Sequence, residues 1–172
     1  MGERLRYDFF RRDVLEVAPA LLGKKLVRRY DNGHTESFLI TETEAYRGEE
    51  DLACHASRGK TARTTPMYMA GGVLYIYLIY GMYWMMNIVT GKENEPQAVL
   101  IRGIEGYDGP GKLTRRLGID KSFNTEDLTT SSRIWVEETG LQPAFRTTPR
   151  IGVDYAGEPW KNKPWRYLAD PE

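Results

Sequence analysis

The chain has 172 residues, 41% hydrophobic and 28% charged, and its 24 basic and 24 acidic residues cancel to a net charge of zero. That length builds one core and buries roughly two thirds of its unfolded surface without staples, so a single domain over 1–172 is expected. One cysteine, Cys54, excludes an internal disulfide and multi-cysteine zinc or iron–sulfur sites, and zero net charge excludes attachment to nucleic acid by bulk charge alone.

The N-terminus scatters charges through M-G-E-R-L-R-Y-D-F-F-R-R-D and has no apolar core segment. No signal peptide and an intracellular location are therefore expected. Residues 8–22 are predicted helical, with Asp13 as cap, an apolar stripe of Val14, Leu15, Val17, Leu21 and Leu22 interrupted at Pro19, and Gly23 as terminator. Strands are predicted over 24–30 and 37–46, joined by the hairpin signal Asp31-Asn32-Gly33.

The second strand reads F-L-I-T-E-T-E-A-Y, and a period of two places Phe38, Ile40, Glu42, Glu44 and Tyr46 on one face. A carboxylate that inherits an apolar register sits either at a solvated strand end or in a functional cavity. Partly desolvated and open to water on one side, Glu44 is a usable general base.

From 64 to 91 no residue is charged, a length that raises the transmembrane helix. Gly71, Gly72, Gly81 and Asn87 punctuate the stretch and tyrosines recur through it, so a hairpin over 73–79 and 82–89, turning at Tyr80-Gly81, is the better reading. Tyr75, Tyr77 and Tyr83 suit cross-strand packing. Tyr80 at the tip would instead project into solvent, placed to wedge between stacked bases or to dock a partner. A third apolar strand is predicted over 98–104, a turn and short basic helix over 109–117, and short strands over 133–137 and 149–153; the tail, 163–172, gives no clear pattern.

Asn87 and Arg102 interrupt apolar runs, and each must pair internally or line a pocket. His55 sits in a loop soon after Glu44. Basic residues cluster at Lys24–Arg29, at Arg58, Lys60 and Arg63, and at Lys112, Arg115, Arg116 and Lys121, which is solvated surface or one positive face. Phosphate-binding glycine loops, zinc-deaminase motifs and serine-hydrolase motifs are missing. What remains is a carboxylate beside aromatic rings, equipment for hydrolysis through a cationic, oxocarbenium-like transition state.

E-T-E-A-Y at 42–46, the His55 loop, R-T-T-P-M-Y-M at 63–69, L-Y-I-Y-L-I-Y-G-M-Y-W-M-M-N-I at 74–88, V-L-I-R at 99–102 and G-P-G-K-L at 109–113 together resemble the alkyladenine (3-methyladenine) DNA glycosylase family, over nearly the whole chain and in order. The resemblance implies a mixed α/β (α+β) domain, a curved antiparallel sheet with surrounding helices and a hairpin that enters the minor groove. It implies Glu44 as the base that activates water, with Arg102 helping to hold that water. Tyr46, His55 and Tyr77 would sandwich a flipped base, Tyr80 would fill the hole left in the duplex, and Asn87 would obstruct the 2-amino group of guanine. Arg63 and Lys112, from the basic clusters, are the expected contacts to the DNA backbone. The implied partner is double-stranded DNA carrying damaged purines, met by a monomer with no membrane association, no metal and no cofactor. No lysine occupies the matched pocket positions, so no Schiff-base lyase step is expected. Two features depart from the pattern: Cys54 replaces a small residue beside His55, and the C-terminus lacks the family's apolar closing segment.

Two other readings use the same residues. Glu42 and Glu44, about 6.5–7 Å apart along a strand, could serve as the carboxylate pair of another N- or O-glycosidic hydrolase. A non-catalytic module could bind damaged DNA through Tyr80 alone.

Overall fold

The computed structural model describes residues 2–171. Asp13 caps as expected, its side chain accepting the Leu15 N–H at 2.9 Å, but the helix predicted over 8–22 is two: α1 (Tyr7–Phe10) and α2 (Val14–Ala20). An N-cap residue leaves helical geometry, so Asp13 cannot cap one helix and continue another. Val14, Val17 and Ala18 of α2 are buried, and Gly23, at φ +83°, carries the chain into the sheet.

That sheet has nine antiparallel strands: β1 (Lys25–Arg29), β2 (Thr35–Arg47), β3 (Leu74–Ile79), β4 (Tyr83–Val89), β5 (Gln97–Ile104), β6 (Tyr107–Asp108), β7 (Ile134–Glu137), β8 (Phe145–Thr148) and β9 (Arg166–Ala169). The main path runs β3-β4-β5-β2-β1-β7, with β9 added beside the C-terminal half of β2 and β8 beyond it. The fold is thus the expected mixed α/β domain around an antiparallel sheet, and the hairpin of β3 and β4 forms one end of it.

Two predicted segments are corrected. Residues 149–153 do not form a strand; β8 ends at Thr148 and a turn follows, where Gly152 takes φ +73°. Isoleucine and valine suggested a strand there, but the glycine between them turns the chain. The patternless tail contains β9, whose Tyr167 is buried in the core. Its short, charged sequence hides a strand that pairs on both sides.

Helix α3 (Pro110–Leu117) buries Leu113 and Leu117 and ends at Gly118 in the left-handed conformation. Helices α2 and α3 contribute to one core cluster with Leu74 and Ile76 of β3, Met86 and Ile88 of β4, and Val99 and Ile101 of β5. The alternate residues, Tyr75, Tyr77, Met85, Asn87, Ala98, Leu100 and Arg102, line a pocket on the other face. Period two thus assigns β3, β4 and most of β5 to core and pocket.

Strand β2 breaks that rule. Ile40 and Ala45 both belong to the helix-side core, and Thr43 donates its hydroxyl to the Ala18 carbonyl of α2 at 2.9 Å. Phe38 and Ile40 therefore do not share a face with Glu42, Glu44 and Tyr46, contrary to the periodicity. The cause is a register slip against β5, between Ile40 and Glu42 and again between Glu42 and Thr43. One extra residue reverses the phase of everything after it. Gly103 permits the close approach, since a Cβ there would meet Thr41 Oγ1 at 2.9 Å. The bulge turns both carboxylates away from the core and toward the pocket face.

Candidate active site

The pocket, 420 Å³ in volume, is walled by side chains from β2, β3, β4 and β5, by His55 and Met67, by the turn residues Ile151, Gly152 and Val153, and by Tyr155 of the 3-10 helix Asp154–Ala156. Its size and mixed lining suit a small aromatic ligand. His55 opens a short 3-10 helix, His55–Arg58, rather than lying in irregular loop. Its Nδ1 shares a hydrogen bond with the Tyr75 hydroxyl at 2.9 Å, and its ring lies 4.5 Å from that of Tyr77. His55 and Tyr77 thus form one wall. Tyr46 enters from β2, across the width of β4 and β5 in the strand order.

Burial, followed by the charges of Arg63 and Arg58, pushes His55 down to about 4. Its ring is neutral at physiological pH. Burial first, then the charge of Glu44, holds the Tyr46 hydroxyl well above the usual phenol range, so it remains a donor. Burial likewise raises Cys54 to about 12, which leaves it an inert thiol.

Glu44 is fully buried, 0% exposed, immediately behind the pocket wall. Its Oε1 accepts the Tyr46 O–H at 2.8 Å and Arg102 Nη1 at 3.3 Å, while Oε2 accepts the Ile151 backbone N–H at 2.7 Å. All three donors belong to residues that line the pocket. Glu42 is held differently. Arg102 Nε lies 3.4 Å and Arg166 Nε 2.8 Å from its Oε2.

Asn87 is buried in the pocket wall with Nδ2 donating to the Tyr75 carbonyl at 3.1 Å, which fixes the amide in place. Tyr80 is 86% exposed with φ +52°, beside Gly81 at φ +65°, so the hairpin tip presents its ring to solvent as expected. Met82 belongs to this turn rather than to β4, since its N–H donates to the Ile79 carbonyl. Arg63 is exposed, its guanidinium 5.4 Å from the Tyr77 ring. Lys112 is exposed in the first turn of α3, next to Pro110, which lines the pocket.

Four further participants carry no clear sequence signal: Asp51, Arg150, Arg166 and Tyr155. Arg150 forms a buried pair with Asp51 and donates to the Ala45 carbonyl at 3.0 Å; Tyr155 lines the pocket mouth. For the three charged ones the only available signal was charge inside short, locally ambiguous segments, and Tyr155 had none. Among the described residues no cluster of histidine, cysteine and carboxylate side chains could hold a metal ion, and no helix is long and apolar enough to cross a membrane.

A slot of aromatic rings set in front of a buried carboxylate has the shape to take a flat ring. The methylpurine-DNA glycosylase family model matches this chain over residues 8–109 and 106–172. A protein of Sodalis glossinidius is 46% identical over 172 residues, covering 96% of this chain and 96% of its own length. One of Methanocella arvoryzae is 44% identical over 180 residues (93% and 89%), and one of Rickettsia felis 44% identical over 169 residues (94% and 90%). All three bear the name "Putative 3-methyladenine DNA glycosylase". The chain belongs to the methylpurine-DNA glycosylase family, and it is a DNA N-glycosylase.

Proposed function

We propose that this enzyme flips damaged purines, alkylated adenine or guanine and hypoxanthine, out of double-stranded DNA and hydrolyses the N-glycosidic bond with a water activated by Glu44, opening base excision repair. The observation that carries this reading is the set of donors on Glu44. An ionised carboxylate offers about four lone-pair sites, and Tyr46, Arg102 and Ile151 occupy three. The fourth, on Oε2, is left for a water. The Arg102 contact at 3.3 Å exceeds the roughly 2.7–2.9 Å of a tight charge-assisted bond, so its guanidinium is not fully committed to Oε1. Arg102 then helps to hold that water.

In the reaction, the water oxygen bonds to the sugar's anomeric carbon while the bond to the base breaks with its electron pair leaving on the base. Glu44 accepts the water's proton. A cationic alkylated base departs readily; neutral hypoxanthine needs a proton on the leaving group. Stacking worth about 1–3 kcal/mol per base on Tyr46, His55 and Tyr77 offsets the few kcal/mol of extrusion. A neutral His55 matters here, because an imidazolium would repel a cationic base.

Tyr80 fills the vacated stack, the fixed Asn87 amide obstructs guanine's 2-amino group, and Arg63 and Lys112 contact phosphates. The enzyme works inside the cell, at the nucleoid, as a monomer without a cofactor, and it is monofunctional. Glu42, taken up by Arg102 and Arg166, serves as their counter-charge rather than as the second carboxylate of an inverting pair. Base release from duplexes carrying one hypoxanthine or one alkylated adenine tests the reading: both bases should be freed with an abasic strand left intact. Cleavage of free nucleosides with no release from DNA would overturn it.

A further inference from the structure

Asp51 and Arg150 form the one ion pair among the described residues whose side chains are both wholly buried. Arg150 Nη1 donates to Asp51 Oδ2 at 2.6 Å and to the Ala45 carbonyl at 3.0 Å, and Nη2 donates to Asp51 Oδ1 at 3.0 Å and the Trp160 carbonyl at 3.1 Å. Its guanidinium lies 4.9 Å from the ring centroid of Tyr46. Asp51 also accepts the backbone N–H groups of Arg47 and Ala53, each at 3.0 Å. A buried pair is a poor source of stability, since apolar replacements of similar shape are often as stable or more so. Its effect on geometry is specific. Arg150 grips Ala45 and Tyr46, the two residues after Glu44, and the next residue along its own chain is Ile151, whose N–H reaches Glu44 Oε2 at 2.7 Å.

We propose that Asp51 and Arg150 are positioning residues for base excision: they lock the turn at 150–153 against β2 so that the Ile151 amide fixes Glu44 and leaves its last lone pair facing the water. This inference rests on the reading of Glu44 as the general base. It connects two loops that are distant in sequence to one carboxylate, and it assigns the buried Arg150 a task that neither stacking nor stability accounts for.

The turn allows a direct test. Gly152 takes φ +73°, and a turn with a left-handed glycine at its third position accepts proline at its second. Ile151→Pro therefore removes the N–H and leaves the Asp51–Arg150 pair in place, while Ile151→Ala keeps the N–H. The experiment measures single-turnover excision and affinity on a hypoxanthine duplex for wild type, Glu44→Gln, Arg150→Lys, Ile151→Ala, Ile151→Pro and the Glu44→Gln/Ile151→Pro double variant. Arg150→Lys and Ile151→Pro should each slow excision about tenfold or more, Ile151→Pro more than Ile151→Ala, with affinity within about threefold. In the Glu44→Gln background Ile151→Pro should add nothing. A folded Ile151→Pro that excises within about twofold of wild type while Glu44→Gln is inactive overturns the positioning role and leaves Glu44 as the base. Full excision by Glu44→Gln sinks the reading beneath it instead.

Discussion

The Tyr46 hydroxyl donates to Glu44 Oε1 at 2.8 Å, joining a ring in the pocket wall to the carboxylate behind it. Tyr46→Phe keeps the ring and removes that donor. Hydrogen bonds to charged groups contribute roughly 1.5–3 kcal/mol, so single-turnover excision should fall by about tenfold or more while affinity for lesion duplex stays close to wild type. Tyr46→Ala should lose rate and affinity together. Equal affinity losses in the two variants would show that the hydroxyl serves binding rather than Glu44.

His55 titrates near 4 in the folded chain against 6.5 in the unfolded one, chiefly through burial and then through Arg63 and Arg58. As pH falls below 6.5 the unfolded chain takes up this proton first, so His55 lowers folding stability progressively between pH 6.5 and 4 and has no effect above that window. A histidine NMR titration of wild type and Arg63→Ala measures this directly. The midpoint should rise in Arg63→Ala; a wild-type midpoint near 6.5 would contradict a neutral, buried ring.

Tyr80 stands 86% exposed and itself takes φ +52°, a conformation disfavoured for a bulky side chain. Tyr80→Ala should weaken binding to a duplex with a paired lesion, because nothing then fills the vacated stack, and the loss should shrink for a bulged lesion. Folding stability should hold or rise. An equal loss on paired and bulged substrates would make Tyr80 a fixed structural contact.

Asn87 is anchored by its bond to the Tyr75 carbonyl, so its amide cannot swing away from an incoming base. Asn87→Ala should raise release of guanine-type bases relative to hypoxanthine, since exclusion by a clash disappears with the clashing group. Paired release assays on the two substrates give the ratio. An unchanged ratio would leave Asn87 with a purely internal role.

The pocket was legible where side-chain alternation is undisturbed. Polar Asn87 and Arg102 inside apolar runs both line it, and the tyrosine-rich hairpin supplies one wall. The alternation that marks Glu44 in the sequence is one that β2 does not keep: Ile40 faces the helices and Glu44 the opposite side of the sheet, behind the pocket wall, because the slip between Ile40 and Thr43 reverses the phase. No local signal marks such a bulge, which depends on Gly103 of the neighbouring strand. Arg150 and Arg166 were invisible for a related reason. Each acts on β2 from a segment far along the chain, and long-range pairing leaves no trace in local composition.

In the proposed reaction Glu44 takes the proton from the attacking water. Glu44→Gln preserves the side chain's shape and removes that capacity, and general-base contributions run to about 10²–10⁴ in rate. The most direct measurement is single-turnover base release from a lesion duplex by Glu44→Gln, with affinity measured on the same duplex. Release should drop by at least about a hundredfold with the damaged duplex still bound as by wild type. Release at close to the wild-type rate would move the base to another residue, Glu42 first.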